Sequence, residues 1–162
     1  MKNTADLRLS REEEAAMTGS CLYDKDFYAW AKEQAALLRA GDLGRADIAH
    51  IAEEIESMGR TEKRELVSRL TVLLLHLLKW RHQPVGRGNS RRLSIANSRD
   101  EIVDHLADNP SLKSLLDPAL ASAYRYARRK AAVETNLAEE TFPSICPWSF
   151  DEIMDERFWP EA

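Results

Sequence analysis

The sequence predicts an all-α protein: an antiparallel up-and-down helical bundle of about five main helices, with a short C-terminal helix packed across it. Three observations carry this expectation. Gly and Pro are scarce, at six each in 162 residues, while Ala, Leu, Glu and Arg dominate. Unbranched side chains of that kind lose little rotamer freedom in a helix. β-Branched and aromatic residues are too scattered for a series of strands. Finally, the run Leu73-Leu74-Leu75-His76-Leu77-Leu78-Lys79-Trp80 is more apolar than one helix face requires, which marks the central helix of a bundle. The length suits one domain with a sizeable core, placed over 21–162. Residues 1–20 are polar, lack the apolar core of a signal peptide and read as a mobile or weakly ordered leader.

The elements follow in chain order. Asp24 or Asp26 can cap a first helix that carries Phe27, Trp30, Leu37 and Leu38 and stops at Gly41. A second helix begins near Asp47 and sets Ile48, Ile51, Ala52, Ile55 and Met58 on one face, at helical spacing. Gly59 ends or bends it, and the third, central helix runs from about Thr61 to His82. Pro84, Gly86 and Gly88 form a basic loop, and helix four covers roughly Ser90 to Leu106 before Asn109-Pro110 stops it. After a short helix over 111–116, Asp117-Pro118 opens the fifth main helix, which ends near Thr135. Ser149, with Glu152 three residues later, is a capping box that starts the short last helix. Short loops between long helices favour antiparallel neighbours. Trp148, Phe158 and Trp159 are expected to pack against the bundle.

The net charge of −4 is unevenly spread. From Leu66 to Arg99 the chain carries seven basic residues and no acid, with acidic segments on both sides. This stretch either pairs with acidic neighbouring helices or forms an anion-binding surface, helped by Arg125, Arg128, Arg129 and Lys130. The two cysteines, Cys21 and Cys146, lie outside any metal-ligand or redox spacing and read as cytosolic thiols, with a single secreted disulfide as the alternative. The longest apolar run, Val72 to Leu78, is too short to span a bilayer, so the chain is expected to be a soluble cytoplasmic protein.

Several stretches carry a resemblance. They are Leu22-Tyr23-Asp24-Lys25-Asp26-Phe27-Tyr28-Ala29-Trp30, Ile51-Ala52-Glu53-Glu54-Ile55-Glu56-Ser57-Met58-Gly59, Leu75-His76-Leu77-Leu78-Lys79-Trp80 and Asn109-Pro110-Ser111-Leu112. Tyr124-Arg125-Tyr126-Ala127-Arg128, Glu140-Thr141-Phe142-Pro143 and Cys146-Pro147 continue the same order. Over about residues 21–160 the chain resembles domain-of-unknown-function family twenty-nine (DUF29), which is common in cyanobacteria and other bacteria. The resemblance implies an all-helical bundle and assigns no activity. Where the family typically has a Ser-Trp pair after the loop, Ser90 is here followed by Arg91.

A few polar residues stand where the period predicts core. Arg99 falls within the face formed by Ile95, Ile102, Val103 and Leu106. A guanidinium is costly to bury alone, so Arg99 should pair with a carboxylate. Glu134, on the face of Leu120, Ala123, Tyr124, Ala127 and Ala131, is the expected partner, with Glu54 as the alternative. His76 shares a stripe with Arg69, Leu73 and Trp80 and reads as a buried neutral imidazole, a general base or a metal ligand. His50, Glu53 and Glu54 cluster on one helix face, either as a solvated charged face or as a contribution to a divalent-metal site. Arg87, Arg91 and Arg92, beside the start of helix four, form a candidate anion site.

No Gly-x-Ser-x-Gly elbow, phosphate-cradling glycine loop or Cys–His pairing is legible, and no cofactor is predicted. Two readings of function follow. The first is an interaction module whose basic surface around residues 79–92 meets an acidic protein partner or a nucleic-acid backbone. The alternative is an enzyme or metal protein with an inter-helix site built from Glu54, His76 and Arg99.

Overall fold

In the computed structural model, which describes residues 22–161, every regular element is helical. A short helical stretch over 22–25 precedes α1 (Phe27–Ala40), α2 (Ile48–His82), α3 (Asn89–Asp108), α4 (Leu116–Thr135) and α5 (Phe150–Met154). Short 3₁₀ turns lie at Pro84–Gly86, Pro110–Leu115 and Glu139–Thr141. The chain divides into two compact units, Met1–Gly59 and Arg60–Ala162, where the sequence predicts one domain over 21–162. The expected leader, 1–20, lies outside the described residues.

In the first unit the helix signals act as their chemistry predicts. The Asp26 carboxylate accepts from the Ala29 N–H at 3.0 Å, and Gly41 closes α1 in the left-handed region at φ 72°. Gly59 behaves differently. The second and third helices predicted from the sequence are one continuous helix, α2, because Gly59 keeps a helical backbone. An interior glycine costs only about 1 kcal/mol against alanine, and the flanking Glu and Arg residues favour helix.

The predicted apolar face of this segment is a second correction. Ile55 and Met58 are 63% and 68% exposed, and Ile48 is exposed too. The half-buried positions are instead Asp47, His50, Ile51, Glu54 and Ser57. The polar members of that stripe find partners in Tyr23, Trp30 and Gln34. Trp30 and Gln34 are the two buried residues of α1.

The second unit holds the main core. Leu66, Leu70, Leu73, Leu74, Leu77 and Leu78 of α2 are fully buried against Ile95 and Ile102 of α3 and Ala123, Ala127 and Ala131 of α4. Side-chain contacts set the directions: His105 meets Glu62 and Arg69 meets Glu101, so α3 runs antiparallel to α2. Thr71 meets Ala123 and Lys79 meets Glu134, so α4 runs parallel to α2.

On α3 the expected core residue Val103 is exposed, and Ser98 and His105 are buried in its place. Helix α4 begins one residue before Asp117, straight from the preceding 3₁₀ turn, with Asp117 in its first turn. The predicted capping box is present: Ser149 Oγ accepts from the Glu152 N–H at 3.2 Å, and the Glu152 carboxylate accepts from the Ser149 N–H at 2.7 Å. As expected, Trp148 is buried and Phe158 and Trp159 pack on the core.

Candidate functional site

Two helical stripes define a basic groove in the second unit. On α2, Arg60, Arg64, Val67, Ser68 and Thr71 recur at intervals of three and four, with Lys63 beside Arg64. On α4, Ser122, Tyr126 and Lys130 recur every four residues. Together they line an open groove of about 580 Å³. Thr71 ties its floor, because its hydroxyl donates to the Val67 carbonyl at 2.7 Å and reaches the Ala123 carbonyl at 3.4 Å.

Among the described residues no carboxylate lines the groove wall. The acids of this part of α2 point elsewhere. Glu62 accepts from Asn109 at 3.3 Å, and Glu65 pairs with Arg69 at 2.9 Å. Among the described residues Lys63, Arg64 and Lys130 form no ion pair. Cations without counterions, joined by the hydroxyls of Ser68 and Ser122, make a site for anionic oxygen.

The arginines singled out in the sequence have other partners. Arg87 donates to the Trp80 carbonyl at 2.7 Å and the Arg81 carbonyl at 3.4 Å. Arg91 donates to the carbonyls of Lys79 and Gln83 at 3.2 and 3.3 Å and to Gln83 Oε1 at 3.1 Å. Both guanidiniums therefore sit on carbonyls at and just beyond the C-terminus of α2, at the negative end of its dipole. Gly86 makes room for this: a Cβ there would lie 2.5 Å from the Arg91 guanidinium. Arg92 stands 5.6 Å over the Trp80 ring and 5.4 Å over Trp159. Trp80 itself is buried, with Trp159 at 4.6 Å.

The predicted ion pair between Arg99 and Glu134 is not formed. Arg99 donates to the carbonyls of Ile153, Glu156 and Phe158 at 2.8, 3.4 and 2.9 Å. Glu134 pairs with Lys79 at 2.6 Å. Backbone carbonyls compensate the buried guanidinium as a carboxylate would, with no second charge to desolvate.

Of the residues expected to build an inter-helix site, Glu54 lies in the first unit and His76 and Arg99 in the second. Glu54 belongs to the first unit, where the Tyr23 hydroxyl donates to it at 2.5 Å. In the second unit His76 is half-buried, and among the described residues its Nδ1 has no hydrogen-bond partner. Burial, and then the charges of Lys79 and Arg91, hold the His76 imidazole below its ordinary range.

Of the candidate metal residues, His50 and Glu54 have protein partners. His50 Nδ1 lies 2.7 Å from the Asp47 carboxylate, and its ring stacks on Tyr23 at 4.1 Å. Glu53 is exposed. Among the described residues no group of three His, Cys, Asp or Glu side chains gathers to hold a metal.

These histidines give the two units opposite pH dependences. The bond to Asp47 raises the proton affinity of His50 above its ordinary 6.5. Its stabilising effect is fully present below about 6.5 and is lost as pH rises through the raised folded value. Burial lowers the proton affinity of His76 and of His82, also from 6.5. Their unfolded forms bind protons more readily, so their contribution to stability in the second unit is full above about 6.5 and falls as pH drops through the lowered folded values. Segment-resolved hydrogen exchange between about pH 5 and 8 should show protection falling with pH in α1 and rising in α3 and α4. His50→Gln should abolish the first trend only. The same trend in both units would contradict the assignment.

The groove was not legible as a site in the sequence. The acid-free stretch begins at Leu66, and Arg60, Lys63 and Arg64 lie just before it among Glu62 and Glu65. A helical-face count separates these bases from the acids where a linear count cannot.

Fold and site together define an all-helical protein with a basic groove between two helices. The chain matches the family described as domain of unknown function DUF29 over residues 22–159, and it belongs to that family. Neither a curated protein nor a solved structure matches it. Among the described residues no helix is long and apolar enough to cross a membrane.

Proposed function

We propose that this protein is an anion-binding module that holds a phosphate-bearing partner in the groove between α2 and α4. One observation carries the reading. Lys63 and Arg64 from one helix and Lys130 from another converge on about 580 Å³ of open space with no carboxylate in its wall. Three uncompensated cations repel one another, and an arriving anion relieves that repulsion. The basic surface predicted around residues 79–92 thus moves to another face, since Arg87 and Arg91 are occupied by carbonyls. The module is read as bacterial and cytoplasmic, supported by the family resemblance and by the free thiol of Cys146.

Fluorescence anisotropy with labelled inorganic polyphosphate tests the reading. Binding should weaken steeply with salt. The double variant Lys63→Glu, Arg64→Glu should lose about a hundredfold in affinity, since contact becomes repulsion. Arg157→Ala, which removes an exposed arginine paired with Asp155, should change nothing. Equal affinity in the double variant would remove the groove from the function. Labelled polyglutamate covers the acidic-protein reading: tighter binding to it than to polyphosphate would replace the phosphate partner with an acidic peptide.

A further inference from the structure

The basic surface does not end at the groove. Arg125 and Arg129 are exposed on α4, and among the described residues neither pairs with a carboxylate. Both line a second cleft of about 590 Å³, so α4 carries uncompensated cations on both flanks. Arg128 is excluded from this set because Glu139 takes its guanidinium, through the carbonyl at 3.0 Å and the carboxylate at 3.4 Å. Asp117 and Glu139 also line the second cleft, so that flank attracts an anion less than the groove does.

A positive surface that continues over a helix suits an extended polyanion better than a single small anion. An aromatic side chain stands within it. Tyr126 lines the groove beside Val67, is 45% exposed, and has the Arg125 guanidinium 5.2 Å over its ring. Other large side chains nearby are taken into the core: Tyr124 is buried and bonded to the Pro143 carbonyl. An exposed ring backed by a guanidinium, flanked by Lys63, Arg64 and Lys130, is the arrangement on which an unpaired base stacks while its phosphates meet the cations.

We infer that the anionic partner is a single-stranded nucleic acid whose backbone runs along the groove and over α4, with one base stacked on Tyr126. The inference rests on the anion-binding reading and adds the chemical class of its partner. A duplex is disfavoured, since its bases are stacked internally and offer the Tyr126 ring no free face. A carboxylate-rich peptide would use the cations and leave the exposed ring without a role. Base-specific reading has no support here: Ser68 and Ser122 supply hydroxyls that can bond to any phosphate.

The test uses the full chain and four labelled probes: a 12-residue oligouridylate, the matching oligothymidylate, a duplex of the same length, and inorganic polyphosphate. The single strands should bind about tenfold more tightly than the duplex. Their affinity should fall with salt at a logarithmic slope of about −0.7 per phosphate neutralised. Tyr126→Ala should weaken the single strands about tenfold and leave polyphosphate unchanged, while Tyr126→Phe keeps the wild-type affinity. Tighter binding of oligouridylate or of oligothymidylate would tell RNA from DNA and support the inference in either case. If polyphosphate binds through Lys63 and Arg64 but Tyr126→Ala weakens no probe, the nucleic-acid inference is overturned and the anion-binding reading stands. If no probe binds, both fall.

Discussion

Replacing Arg99 by methionine should cost the second unit about 3 kcal/mol and release its C-terminal segment. The guanidinium is buried, and burial holds its proton affinity below the ordinary arginine range while Asp155 and Glu156 act the other way. It donates to three carbonyls, of Ile153, Glu156 and Phe158, and lies 5.6 Å over the Trp159 ring. Hydrogen bonds from a charged donor contribute about 1.5–3 kcal/mol each, and bonds sharing one side chain are not additive. Methionine restores much of the volume and none of the donors. The orphaned carbonyls regain water only if the segment lifts off, so that is where the cost should appear. Urea unfolding reads the stability, and chymotrypsin at Phe150 and Phe158 reads the release. Arg99→Lys should not rescue, because one ammonium cannot reproduce a planar fork that reaches three acceptors. Unchanged stability and unchanged cleavage in Arg99→Met would show that these carbonyl contacts carry no net free energy.

Phe142→Ala should cost about 3–5 kcal/mol, the largest effect expected of a single truncation here. Phe142 is 1% exposed and among the largest fully buried side chains. Its ring meets the His82 ring edge-on at 4.7 Å, near the end of α2. The next residue, Pro143, accepts the Tyr124 hydroxyl through its carbonyl at 2.8 Å. Truncation would leave a cavity where the polypeptide returns across α2 and α4, and a backbone held at both sides cannot collapse into it. A shift in the urea midpoint at constant slope would report the loss directly. A cost under about 1 kcal/mol would mean that this segment rests on the core without being part of it. Together with Arg99 the residue defines what holds the C-terminal segment: an apolar anchor at one end and a polar clamp at the other.

Both anchors show where sequence reasoning reaches its limit. Arg99 is legible as a buried cation, because its place among Ile95, Ile102 and Leu106 follows from a period of 3.6 residues. Its partners are not legible, since backbone carbonyls occur at every residue and leave no mark in the side-chain pattern. Arg87 and Arg91 repeat the lesson: a basic run in the sequence is a set of caps for the end of α2. Along Ile48, Ile51, Ala52, Ile55 and Met58 the period is right and the buried face is wrong. Paired polar groups on the neighbouring stripe, Asp47–His50 and Tyr23–Glu54, take the position that hydrophobicity alone would give to isoleucine.

The sequence by itself determined the helical class, the leucine-rich centre of α2, the buried alanine stripe of α4, the stop at Gly41 and the box at Ser149, and it narrowed the first cap to Asp24 or Asp26. It also determined the family, DUF29. Each of these rests on interactions between residues a few positions apart, or on the burial of one face of one helix. The tertiary structure alone decided which cations stay without a partner and which wall they share. Lys63 and Lys130 are 67 positions apart in the chain, and nothing local to either says that they line one groove. Coulomb energy depends on distance in space, and only the packing of α4 against α2 sets that distance.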